Sequence, residues 1–154
     1  MTTMSEIETN LAARLNTITV ANGYATGVRK VYFNKIPMGL ELEPHEVPAI
    51  FVLVDRVQIQ RKVHCNENIL HFEIQLIGDE SETDDYMFNF LTDVYKAVYA
   101  NSPTSQQLDQ YRTIHESIYD CKSESGRFDL NMIEANRFGI LDLQIYFRAN
   151  YINL

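Results

Sequence analysis

Four histidines (His45, His64, His71 and His115) and two cysteines (Cys65 and Cys121) are the side chains of this 154-residue chain best suited to metal binding or nucleophilic chemistry. Their spacing forms no H-x-H, H-E-x-x-H or C-x-x-C motif, so no metal shell or redox pair is indicated. His64 and His71 flank a hairpin turn and could meet across strands, although two polar residues on a solvated face is the simpler reading. Glu41, Glu43, His45 and Glu46 form the densest group of oxygen and nitrogen ligands. They lie in a stretch punctuated by Pro37, Gly39, Pro44 and Pro48, which suits an exposed charged loop better than a metal site. The acidic run Asp79, Glu80, Glu82, Asp84 and Asp85 lacks the turn glycine and distal glutamate of an EF-hand loop. G-x-S-x-G, G-x-x-x-x-G-K-[ST] and G-x-G-x-x-G are all missing, so neither a nucleophilic serine nor a bound nucleotide is indicated. The expectation is a non-enzyme with no catalytic residue, no cofactor and no metal.

The charge balance narrows the partners. Lys and Arg number 13 against 21 Asp and Glu, a net −8, which disfavours any role that depends on neutralising phosphates. An acidic surface lets nucleic acid slide past without sticking, and it also keeps a small domain soluble, which is the commoner reason for it. The widely separated cysteines suit a reducing compartment. No N-terminal stretch is built like a signal peptide, and no apolar run approaches the roughly 18 residues needed to cross a bilayer. Synthesis and assembly in the cytosol, away from membranes, are expected.

Periodicity supplies the elements that would position any site. Ile7, Leu11 and Leu15 predict an amphipathic helix over Ser5–Thr17, with Ser5 as its cap, Glu8 in capping-box register, and Glu6, Asn10 and Arg14 on the other face. Asn22-Gly23 signals a turn. A short strand is predicted at Val28–Phe33, a loop from Asn34 to Pro48, and then a central strand over the apolar run Ala49–Val54. Val57, Ile59, Val63 and Cys65 alternate with polar residues, as do Leu70, Phe72, Ile74 and Leu76; this predicts a long hairpin that turns at Asn66-Glu67-Asn68 and ends at Gly78.

Thr83 is placed to cap a second helix reaching about Tyr99, with Met87, Phe90, Leu91, Val94 and Val98 in one apolar stripe. Tyr111–Cys121 is read as a strand, Lys122–Arg127 as a polar connection, and Leu141–Ala149 as a last amphipathic strand. In that strand Tyr146 beside Arg148 could belong to a subunit interface, where Tyr and Arg are enriched, or could pack under a helix. The chain is therefore expected to be one α+β domain over residues 1–154, with a mainly antiparallel sheet, a long β-hairpin and two helices on one face.

The helix running into Leu15-Asn16-Thr17-Ile18-Thr19-Val20-Ala21-Asn22-Gly23-Tyr24 resembles the opening of small bacteriophage tail-terminator and tail-completion proteins. The strand Val28-Arg29-Lys30-Val31-Tyr32, the segment Glu46-Val47-Pro48-Ala49-Ile50, the break at Gly78 and the helix carrying Asp93 and Val94 continue the likeness over most of the chain. The stretch Asp120–Phe138 departs from it, with a longer polar connection than a compact hairpin needs.

The resemblance implies a structural virion protein. It would form a homo-oligomeric ring, usually of six, that caps the head-proximal end of the tail tube and stops its polymerisation. The same ring would present a surface to the head connector, with a sheath-terminating region adjoining if the tail contracts, while DNA passes through the bore unbound. On that reading the hairpin Val57–Ile77 is the candidate arm towards a neighbour or the tube, and Val57, Ile59, Arg61, Glu73, Tyr146 and Arg148 are interface candidates. Glu80, Glu82 and Asp85 are candidates for the bore. The alternatives are a head-completion or neck protein, a small-molecule-binding α+β domain, and a small hydrolase; the lack of glycine-rich or convergent polar motifs disfavours the last two.

Overall fold

The computed structural model describes residues 2–34, 46–79, 82–123, 126–133, 136–150 and 154, with strand placement but no side-chain detail for 127–133 and 136. Helix α1 spans Thr3–Leu15 and buries Ile7, Leu11 and Leu15. It begins earlier than predicted: Thr2 is the cap, and its side chain accepts from the Ser5 N–H, so the orphan amide is satisfied from three residues upstream of the expected position. A single 3-10 turn, Val20–Asn22, follows and ends at Gly23, whose φ of 94° is the left-handed conformation that the Asn-Gly signal implies.

A mixed sheet forms the body. Its strands are β1 (Lys30–Phe33), β2 (Ala49–Arg61), β3 (Asn66–Asp79), β4 (Ile118–Lys122), β5 (Gly126–Ile133) and β6 (Asn136–Ala149). The order is β1-β2-β3-β6-β4, with β5 pairing the same edge of β6 that β4 uses; β1 and β2 run parallel and every other pair is antiparallel. The fold is α+β, with both helices packed into one core against one face of the sheet. Ile50, Val52, Leu70, Phe72, Ile74, Leu76, Leu141, Leu143, Ile145 and Phe147 project from that face to meet Ile7, Leu11 and Leu15 of α1 and Met87, Phe90 and Val94 of α2 (Asp84–Tyr95). Each such side chain contributes roughly 1.5–3 kcal/mol of hydrophobic stabilisation. A smaller cluster on the other face, Tyr32, Val47, Ala49, Phe51, Ile77 and Phe138, is anchored by Tyr32 stacked on Phe51 at 4.7 Å.

The structure corrects several expectations. Ala49–Val54 and the first hairpin arm are one strand, β2, and the central strand is β3. A bulge between Val54 and Arg56 shifts the alternation by one residue, so a single strand reads in sequence as two. The hairpin turns at Lys62–Cys65, not at Asn66–Asn68; Asn66 and Asn68 are buried strand residues. His71 pairs with Arg56 and hydrogen-bonds Gln58 at 2.8 Å, so His64 and His71 do not meet across strands.

The β2–β3 pairing ends at Ile77, just before Gly78 as expected, although β3 itself runs on to Asp79 against β6, with Gly78 opposite Arg137. Thr83 caps α2 as predicted, but the regular helix stops at Tyr95 and continues as a π-turn, Lys96–Ala100, to Asn101 at φ 62°. The strand expected over Tyr111–Cys121 is a 3-10 turn at Gln110–Thr113 followed by the short β4. Beyond it, β5 and a 14-residue β6 form a long hairpin where a polar connection was expected. Residues 41, 43 and 45 of the acidic loop lie outside the described residues.

Candidate interface on the hairpin limb and the outer sheet face

Beyond the bulge at Asp55, β2 stays paired with β3, while no strand among the described residues covers its other edge. β1 covers only Ala49–Val52, and every residue from Asp55 to His64 is exposed. The hydrogen-bond parity of the strand can be counted from both ends. The Val54 N–H points away from β3, donating to Asn34 Oδ1 at 3.4 Å, and the Lys62 N–H points towards β3, donating to the Cys65 carbonyl at 3.0 Å. Alternation between these limits, with one residue added at the bulge, turns the amides and carbonyls of Val57, Ile59 and Arg61 outward. No strand among the described residues meets them.

The side chains of Val57, Ile59 and Arg61 stand opposite Leu70, Asn68 and Asn66, on the helix-bearing side of the sheet. Val57 is 37% and Ile59 50% exposed, and Val63 in the turn is 93% exposed. Behind them, Asn66 Nδ2 and Asn68 Oδ1 are buried without a hydrogen-bond partner among the described residues. Buried orphan polar atoms are uncommon, and these two lie opposite Arg61 and Ile59, near the turn end of the limb.

Glu73, Tyr146 and Arg148 lie on the opposite face of the sheet, so the six sequence-derived interface candidates form two groups on two faces. Arg148 sits over the Tyr119 ring, 4.4 Å from guanidinium to centroid, and reaches Glu67 at 3.7 Å. Tyr119 meets Tyr146 edge to face at 6.1 Å, and the Lys122 ammonium lies 4.9 Å above Tyr146. Burial, then the nearby Glu67 charge, pushes the Tyr119 hydroxyl pKa above its ordinary value. The result is an aromatic and cationic patch, the chemistry enriched at protein interfaces. Glu73 stands apart from this patch and accepts from Gln75 Nε2 at 2.7 Å.

Of the bore candidates, Glu82 and Asp85 lie at the opposite end of the sheet from the hairpin turn, beside the start of α2, and Glu80 lies outside the described residues. Arg137 bonds the Asp84 carboxylate and the Glu82 carbonyl, fixing this end of the chain against β6. Glu82, Asp79, Arg29 and Tyr86 line a polar cleft there of about 490 Å³. Burial, with Glu82 next in effect, raises the Tyr86 pKa to about 12.

No protein-family model and no curated protein sequence matches the chain. Among solved structures, a chain described as "Virion of native gene transfer agent (GTA) particle" superimposes with a TM-score of 0.49 at 12% identity, covering 96% of each chain. A superposition at that level assigns no family.

Two features have no counterpart in the sequence motifs. Buried Asp93 accepts the backbone N–H of Ala25 and both the N–H and the hydroxyl of Thr26, holding the turn after Gly23 onto α2. The only sequence signal for this was an acidic residue among the apolar positions of the α2 stripe. The polar face of α1 is also engaged: Glu6 pairs with His115 at 2.8 Å, Asn10 donates to the Ile114 carbonyl and Arg14 reaches Thr113, which ties α1 to the segment entering β4.

Proposed function

We propose that this chain is a structural subunit of a bacteriophage tail, the terminator that closes the head-proximal end of the tail tube as a ring and forms the joining surface for the head. The observation that carries this reading is the exposed limb of β2, Asp55–Arg61, which presents two apolar side chains and a backbone edge that no strand among the described residues meets. A surface of that kind is an assembly surface.

The residues behind the family resemblance also have defined structural work. The Leu15–Tyr24 phrase ends α1, makes the Gly23 turn and leads into the Thr26 contact with Asp93. A ring needs two different contact regions on each copy, since a heterologous interface repeated about a rotation axis closes on itself. The hairpin limb and the Tyr119–Tyr146–Arg148 patch lie on different faces and can serve as the two.

In this reading the partners are further copies of the chain, the tail tube protein and the head connector. The net charge of −8 suits a bore through which DNA passes without being held, and Glu82 and Asp85 are the described candidates for its lining. The chain has no turnover function in this scheme. Electron microscopy of the purified protein tests the proposal: rings with a central hole of tube width are expected, and uniformly monomer-sized particles at high concentration would refute it.

A further inference from the structure

We propose that the outer edge of β2 between Asp55 and Arg61 accepts a β-strand from a second copy of this chain, arranged head to tail. The inference rests on the ring reading above and adds to it the mode of contact. The outward N–H and C=O groups of Val57, Ile59 and Arg61 supply the backbone ladder, and the exposed Val57 and Ile59 side chains supply apolar contact beside it. An edge shaped only to avoid partners would be short and polar. This one runs for seven residues and, between the polar Asp55, Arg56, Gln58, Gln60 and Arg61, exposes two β-branched aliphatic side chains.

Charge selects the occupant. Residues 55–64 carry Arg56, Arg61 and Lys62 against Asp55, a net +2, so the remainder of a chain of net −8 carries −10. The limb is therefore electrostatically complementary to the rest of another copy. Two limbs meeting about a two-fold axis would oppose like charges, which disfavours a β2–β2 dimer and favours the head-to-tail arrangement that closes a ring. On the far edge, β4 is the poorer template: it is only five residues long, is irregular between Ile118 and Asp120, and has its Cys121 N–H taken by Asp120 Oδ1 at 2.8 Å.

Ile59→Pro removes one outward N–H while leaving the β2–β3 ladder its bonds, because proline is tolerated at edge positions whose amide faces outward. Ile59→Thr keeps the amide and a β-branched shape. Sedimentation of the full-length wild type and both variants, with circular dichroism as the check on folding, separates the possibilities. The expected result is that wild type and Ile59→Thr assemble, that Ile59→Pro needs at least about tenfold more protein to do so, and that wild-type assembly weakens from about 0.05 M to about 1 M salt.

Wild-type rings with an Ile59→Pro variant that assembles equally well would overturn the edge contact and leave the ring reading standing. A wild type that stays monomeric, or that binds a DNA duplex through the limb without self-association, would overturn both. If Ile59→Pro does not fold, hydrogen exchange on the wild type decides: slower exchange across residues 56–62 in the assembly than in the diluted monomer is expected, and equal rates refute the contact.

Discussion

Thr26 gives both its backbone N–H, at 2.7 Å, and its hydroxyl, at 2.6 Å, to a single oxygen of Asp93, a carboxylate buried within α2. The Ala25 N–H donates to the other oxygen at 3.3 Å. Through this contact the connection between α1 and β1 is held to the second helix, so the two halves of the helical layer share one polar anchor. Asp93→Ala leaves these donors buried and unpaired, and urea denaturation should show a loss of roughly 2–4 kcal/mol. Thr26→Ser keeps both donors and should cost less than about 1 kcal/mol. Equal losses in the two variants would contradict the anchor.

Gly78 lets α2 approach the sheet. A Cβ built on it would lie 2.8 Å from Met87 Sδ, and Met87 is buried. Gly78→Ala should therefore destabilise the domain by about 1–3 kcal/mol. In the Met87→Ala background the added cost of Gly78→Ala should largely vanish, a coupling that a double-mutant cycle in denaturant measures directly.

The two thiols should differ sharply in reactivity. Cys121 is buried, and burial pushes its pKa up to about 12 against an opposing hydrogen bond from Tyr99. Cys65 sits half-exposed at the hairpin turn. A thiol-labelling time course on the native protein should show one fast site, abolished by Cys65→Ser, and a second site that reacts only on unfolding. Fast labelling of Cys121 in the folded protein would contradict the packing of β4.

The same burial predicts alkaline sensitivity. The Cys121 thiol holds its proton more tightly when folded than when unfolded, so the native state binds more protons between about pH 9 and 12 and stability falls as pH rises through that window. Cys121 contributes at most about 1.4 kcal/mol per pH unit there, and Tyr86, raised to about 12 chiefly by burial, acts in the same direction above pH 10. Cys121→Ala should flatten the fall in thermal midpoint between pH 9 and 11; an unchanged slope would rule the thiol out.

The helix-facing side of the sheet could be read from the sequence because Leu70, Phe72, Ile74 and Leu76, and likewise Leu141 to Phe147, alternate without interruption. β2 could not be read as one strand, because its bulge moves the inward positions from Ile50 and Val52 to Val57 and Ile59. The turn was misplaced for a related reason: Asn66 and Asn68 have turn-forming types, yet they are buried in β3.

Alternation also fixes a face and not a neighbour. Val57 and Ile59 could be identified as apolar arm residues, but the absence of β1 beside them is a property of the topology. Glu73, Tyr146 and Arg148 fell into the same candidate set although they occupy the other face, since nothing in a single strand's pattern reports how two strands are registered. Asp93 and the α1 contacts to Thr113, Ile114 and His115 join residues far apart in sequence and have no local signature.

In the function proposed above, the hairpin limb meets further copies of the chain. Native mass spectrometry across a concentration series tests it most directly. A single closed multiple of the 17.9 kDa chain is expected, and the Ile59→Pro variant should need at least about tenfold more protein to reach it. A species that remains at 17.9 kDa at every concentration and at low salt would contradict it.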